Sequence, residues 1–137
     1  MKGKILVVDD DADFVKATGM ILEKEGYQVA VASDGKKGLE AIRQSPPDLV
    51  LLDIMMESIF EGFSFLGTLR TAPEYAPFRA IPVLMISSVK RDTGSRFLFE
   101  EDSVMGDAAK PDDYLDKPLR APVLLKKVAQ LIEKRVV

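Results

Sequence analysis

A chain of 137 residues with a net charge of −3 and neither cysteine nor histidine excludes disulfide frameworks, thiolate nucleophiles, imidazole metal sites and histidine-based triads, so its chemistry must run on carboxylates, hydroxyls and amines. The length suits one domain, here 1–137, burying roughly two-thirds of its unfolded surface, and the charge gives no general attraction for nucleic acid or an anionic membrane. Neither a signal-peptide core nor an apolar run of spanning length is present, so a cytoplasmic protein is expected.

The first element, "KILVVDD" (4–10), reads as a strand and runs straight into three consecutive acids, Asp9, Asp10 and Asp11. Residues 12–25 follow as a helix with Phe14, Ala17, Thr18, Ile21 and Leu22 on one face, Asp11 as its N-cap, Gly26 as its stop and Gly19 as a local weakness. "YQVAVAS" (27–33) is a second strand, and 35–45 a short amphipathic helix around Leu39 and Ile42 that Pro46-Pro47 ends. "DLVLLDI" (48–54) is the third strand, 62–70 a helix carrying Phe63, Leu66 and Leu69, and "PVLMISS" (82–88) the fourth strand. Segment 92–110 reads as part helix and part loop. "DYLDK" (113–117) is a short fifth strand, and 121–135 a helix with Leu124, Val128, Leu131 and Ile132 at helical spacing and basic residues in its last turns.

Nearly continuous apolar strands alternating with helices imply a parallel sheet covered on both faces. In such sheets the binding crevice lies outside the carboxyl ends of the strands, near the topological switch point. Asp9 and Asp10 stand at that end of the first strand, Asp53 of the third, Ser87 and Ser88 of the fourth, and Lys117 of the fifth. Adjacent carboxylates repel, and partial burial strengthens the repulsion. Carboxylates gathered at a rim make a site for a hard divalent cation, which offsets that repulsion, and Mg²⁺ prefers a few carboxylates, waters and phosphate oxygens to a closed protein cage.

The motifs "ILVVDDD" (5–11), "PPDLVLLDIMM" (46–56), "IPVLMISS" (81–88) and "DYLDKPL" (113–119), in this order and on these strands, resemble the receiver domain of response regulators in two-component signalling over essentially the whole chain. The resemblance implies an α/β, doubly wound, flavodoxin-like fold with five parallel strands in the order 2-1-3-4-5 and helices on both faces. It implies that Asp53 accepts a phosphoryl group as an acyl phosphate, in a Mg²⁺-dependent reaction, from a histidine kinase or phosphotransfer protein. Asp10 and Asp53 would be the main metal ligands, with Asp9 acting directly or through water and the backbone carbonyl of Met55 completing the protein's share. Lys117 would neutralise phosphoryl charge, aimed inward by a cis peptide before Pro118. Ser87 and Tyr114 would be the switch pair, the hydroxyl bonding the phosphoryl oxygens and the ring moving into the space so opened. Asp11 falls outside the metal set and reads as the helix cap.

Some residues depart from the family pattern. Glu57 stands where Pro is usual four residues after the phosphoacceptor, "ESIFEGF" (57–63) runs one residue long up to Gly62-Phe63, Ser88 replaces a smaller residue, and Leu119 an aromatic. Segments 71–80 and 89–112 are also long. Two alternatives follow: a pseudo-receiver that binds partners without turning over phosphate, and a haloacid-dehalogenase-like hydrolase. The second requires an acid two residues beyond the nucleophile, where this chain has Met55. In receiver domains the face formed by the fourth helix, fifth strand and fifth helix commonly carries output, which places an unknown downstream protein or a homodimer at 89–117. There Phe97, Leu98 and Phe99 cannot all face one side of a helix.

Overall fold

A computed structural model of the protein describes residues 2–53, 59–88, 111–117 and 119–136, with the side chains of 59–63, 87, 88, 135 and 136 left aside. Five parallel strands, β1 (Lys4–Val8), β2 (Gln28–Ala32), β3 (Leu49–Asp53), β4 (Val83–Ser88) and β5 (Asp113–Lys117), form one sheet in the order β2-β1-β3-β4-β5. This is the expected order. Among the described residues the connections are α1 (Ala12–Lys24), α2 (Gly35–Gln44), α3 (Ile59–Thr71) with a short 3-10 helix (Pro73–Phe78), and the last helix, α4 (Ala121–Val136).

The period-2 geometry of strands explains why the apolar runs are continuous. Leu6, Val8, Val50, Leu52, Val83 and Met85 point to one face, where they pack with Ile42 of α2 and with Phe65, Leu66 and Leu69 of α3. Ile5, Val7, Leu49, Leu51, Leu84 and Ile86 point to the other, against Leu22 of α1 and Leu124, Val128 and Leu131 of α4. Each central strand therefore feeds two cores, and a polar residue in its middle would face one of them. Gly38 lets α2 approach closely: a Cβ there would stand 3.0 Å from both Phe65 and Val8.

The helix ends follow local chemistry. The Asp11 side chain accepts from the backbone N–H of Asp13 and Phe14 and so caps α1. Gly26, at φ +108°, takes the conformation that ends the same helix. At the other end of the sheet Arg70 of α3 donates to the carbonyls of Arg79 and Ile81 (2.9 Å for the latter) and to Asp112 (2.7 Å), whose carboxylate also accepts from the N–H of Val83. One guanidinium thereby ties α3 to the entries of β4 and β5.

Two expectations need correction. Ala17 is exposed, and the buried stripe of α1 runs through Thr18, Gly19 and Leu22, with Phe14, Val15 and Ile21 partly buried. The third helix starts at Ile59, before the expected 62, so part of "ESIFEGF" is helix. Segment 71–80 holds the 3-10 helix, with Pro73 at its start. Met55, Glu57, Pro118, the 89–110 segment and Phe97–Phe99 lie outside the described residues.

Candidate functional site

β1 lies between β2 and β3, so the connections leaving β1 and β3 depart toward opposite sides, and the crevice opens where they diverge. The acids stand at this point. Val8 pairs with Ala32 and Leu52, and Asp53 with Ile86. Ser87 is the next residue of β4 and pairs with Asp116, while Ser88 pairs with Lys117. The ladder thus brings Asp9, Asp10, Asp53 and Lys117 to one rim and sets the backbone of Ser87 beside it. The hydroxyl of Ser87 falls outside the described side chains.

The three consecutive acids have three different environments. Asp9 is 2% exposed, its Oδ1 accepting from the N–H of Asp11 at 2.9 Å. Asp10 is exposed and Asp11 caps α1. Asp9, Asp10 and the buried Asp53 each offer an oxygen, all within 4.8 Å of one another. Lys117 Nζ lies 3.7 Å from Asp53 Oδ1 and 3.8 Å from Asp9 Oδ2. Among the described residues this ammonium pairs with two carboxylates of a cluster of three.

That imbalance shows on Asp9. Burial pushes its carboxyl above the usual carboxylate range, partly countered by the Asp11 N–H and the Lys117 ammonium, and the Asp10 charge adds to the rise. Asp9 Oδ2 is buried and has no hydrogen-bond partner among the described residues. A buried carboxylate oxygen that accepts no hydrogen bond, beside two further carboxylates, belongs to an all-oxygen donor set suited to a hard divalent cation. The residues present therefore fit Mg²⁺.

Tyr114 is partly buried, packs against the core on the α2–α3 side of the sheet and pairs with Met85. The sequence reading missed a different aromatic. The Lys117 ammonium lies over the ring of Phe14, 4.3 Å from its centroid. The available signal was position alone: Phe14 stands in the first turn of the helix that Asp11 caps, directly after the acids of the rim.

The chain matches the family model described as "Response regulator receiver domain" over residues 5–129. It is 35% identical over 128 residues to the DNA-binding response regulator MtrA of Mycolicibacterium paratuberculosis, covering 93% of this chain and 50% of that protein. The transcriptional regulatory protein CseB of Streptomyces avermitilis is 32% identical over 130 residues, covering 95% of this chain and 49% of that one. The chain thus spans about half the length of the curated relatives it matches. Among solved structures, a CheY-like response regulator receiver domain protein from Methanospirillum hungatei superposes with a TM-score of 0.75 at 28% identity, covering 96% of this chain and 94% of that one. The chemotaxis response regulator CheY4 of Vibrio cholerae gives 0.73 at 25% identity, covering 93% and 97%.

Proposed function

The chain belongs to the response regulator receiver family, and from that membership we propose that it is a phosphorylation switch whose phosphoacceptor is Asp53. The observation that carries the assignment is the ammonium of Lys117 within 4 Å of both Asp9 and Asp53, at a rim where three carboxylates converge. An oxygen of Asp53 attacks the phosphorus of a phosphohistidine or small acyl phosphate. The new O–P bond forms as the bond to the donor breaks, and the leaving group departs with the electron pair. Such a transfer needs alignment and charge neutralisation more than covalent help from the protein.

Mg²⁺ held by Asp9, Asp10, Asp53 and the carbonyl of Met55 would supply positive charge for the phosphoryl oxygens. Lys117 supplies the remainder and keeps its ion pair with Asp9 after Asp53 is modified. Ser87 hydrogen-bonds a phosphoryl oxygen, and Tyr114, on the neighbouring strand, follows it inward. The local charge event thereby becomes a change of surface. The peptide before Pro118 sets the aim of Lys117.

In this reading the protein is a signalling domain rather than an enzyme acting on an external substrate. It works as one unit in the cytoplasm, where its kinase or phosphotransfer partner would reside; among the described residues no helix is long and apolar enough to cross a membrane. Its output goes to a downstream protein or a second copy through 89–117. DNA binding belongs to the printed name of MtrA, and a net charge of −3 gives this domain no general attraction for nucleic acid. The complete set Asp9, Asp10, Asp53 and Lys117 favours phosphate turnover over a pseudo-receiver. Beryllofluoride with Mg²⁺ tests the site: a bound fluorine resonance should appear in 19F NMR and be absent in Asp53→Asn. No bound signal in the unmodified chain would refute the assignment.

A further inference from the structure

The geometry points to Phe14 as the positioning residue for Lys117: its ring face holds the ammonium at the rim, ready for an incoming phosphoryl group. This inference rests on the phosphoacceptor reading above and adds to it a residue that no acid-and-lysine motif contains. Its first support is distance. Lys117 Nζ lies 4.3 Å from the Phe14 centroid, whereas the two other cation–ring contacts described, Lys2 on Tyr27 and Arg43 on Tyr75, lie at 5.9 and 6.0 Å. The near contact is well inside the range where the ring quadrupole attracts a cation.

The second support is how each partner is held. The backbone N–H of Phe14 is bound by the Asp11 cap at 3.2 Å, and its ring packs against the core between the sheet, α1 and α4, a core that Leu115 and Leu119 also join. The ring is therefore anchored at both ends. The ammonium stands 3.7 and 3.8 Å from its two carboxylates, farther than a direct hydrogen bond, and the lysine side chain is still 27% exposed. A flexible four-carbon stem at such distances loses its place readily to water. An aromatic face 4.3 Å away restricts that freedom while the ammonium stays within 4 Å of Asp9 and Asp53. The strand acids and the strand lysine thus acquire a helix residue as their common support.

The test compares Phe14→Leu, which keeps an apolar side chain but removes the π face, with Phe14→Tyr, which keeps it. Two readouts are taken on each full-length chain. The first, without metal or donor, is the proton shift of the Lys117 ε-methylene, which the ring current should move upfield in the unmodified chain and in Phe14→Tyr but not in Phe14→Leu. The second is the second-order rate constant of Asp53 phosphorylation by acetyl phosphate with Mg²⁺. Phe14→Leu should lower it about 3- to 30-fold, the span expected of a partly desolvated cation–ring contact, and Phe14→Tyr should restore it. A rate in Phe14→Leu equal to that of the unmodified chain, equal losses in both variants, or an unshifted Lys117 methylene in the unmodified chain would each overturn the role of Phe14. Absence of any adduct on the unmodified chain would instead overturn the phosphoacceptor reading, and this role with it.

Discussion

Asp9 is a residue whose charge the fold tolerates at a cost. Its folded-state carboxyl titrates above the ordinary range because of burial, so the folded chain holds that proton more tightly than the unfolded one. The resulting stability is complete below the ordinary carboxylate value of about 4 and is lost as pH rises through the raised folded value. In a chelator, Asp9→Asn should therefore match the unmodified protein near pH 3 to 4 and exceed it in Tm by a margin that widens toward neutrality. Thermal melts across pH check this, and a constant gap would contradict it. Asp10, being exposed, has little role in folding. Asp10→Ala should keep the Tm within a few degrees yet lower Mg²⁺-dependent phosphorylation at least about tenfold, since it removes one carboxylate from the donor set. The acid triplet was legible as a site, and Asp11 as its helix cap. Phe14 was not, because an aromatic on an amphipathic face reads as core until the strand bearing Lys117 is placed beside it.

At the element scale the first four strands were legible because they sit where β-branched and apolar runs stop at acids or hydroxyls, whereas the charged "DYLDK" of β5 carries no such run. Their ends were less so. "KILVVDD" suggests a strand through Asp10, but β1 stops at Val8, where Asp9 turns to hydrogen-bond the N–H of Asp11. The start of α3 was hidden by "IFEGFSFLG", which has apolar residues all round the helix and two glycines, so no clean face marks it. Segment 71–80 was legible only as long for the family; it holds a 3-10 helix whose short repeat accommodates Pro73 at its start. The Arg70 network was invisible because its partners come from two stretches, 79–81 and Asp112, separate in sequence from each other and from α3. Arg70→Met should leave the part-buried carbonyl of Ile81 without its donor and cost about 1 kcal/mol, with little of that from the exposed Arg79 carbonyl or the half-exposed Asp112 pair. Denaturant unfolding should show the loss with the m-value unchanged, and an unchanged midpoint would contradict the role given to Arg70.

At the scale of the whole molecule the sheet order was legible only through resemblance, since local pattern says that strands are parallel but not which are neighbours. The order matters because it brings Asp9, Asp53 and Lys117, far apart in sequence, within 4 Å contacts at one rim. It also joins the rim to Tyr114, which stands across from Met85. We propose that a signal at Asp53 passes through β4 and β5 toward 89–117. Hydrogen exchange with and without beryllofluoride should change protection across 89–117; changes confined to the loops around Asp53 would contradict that path.

The central claim is that Asp53 is the phosphoacceptor of this rim. Intact-mass measurement after incubation with Mg²⁺ and acetyl phosphate tests it most directly. One added phosphoryl group is expected, labile to hydroxylamine, not formed when Mg²⁺ is chelated beforehand and absent in Asp53→Asn. A chain that gains no adduct from any donor, or an adduct that persists in Asp53→Asn, would contradict it.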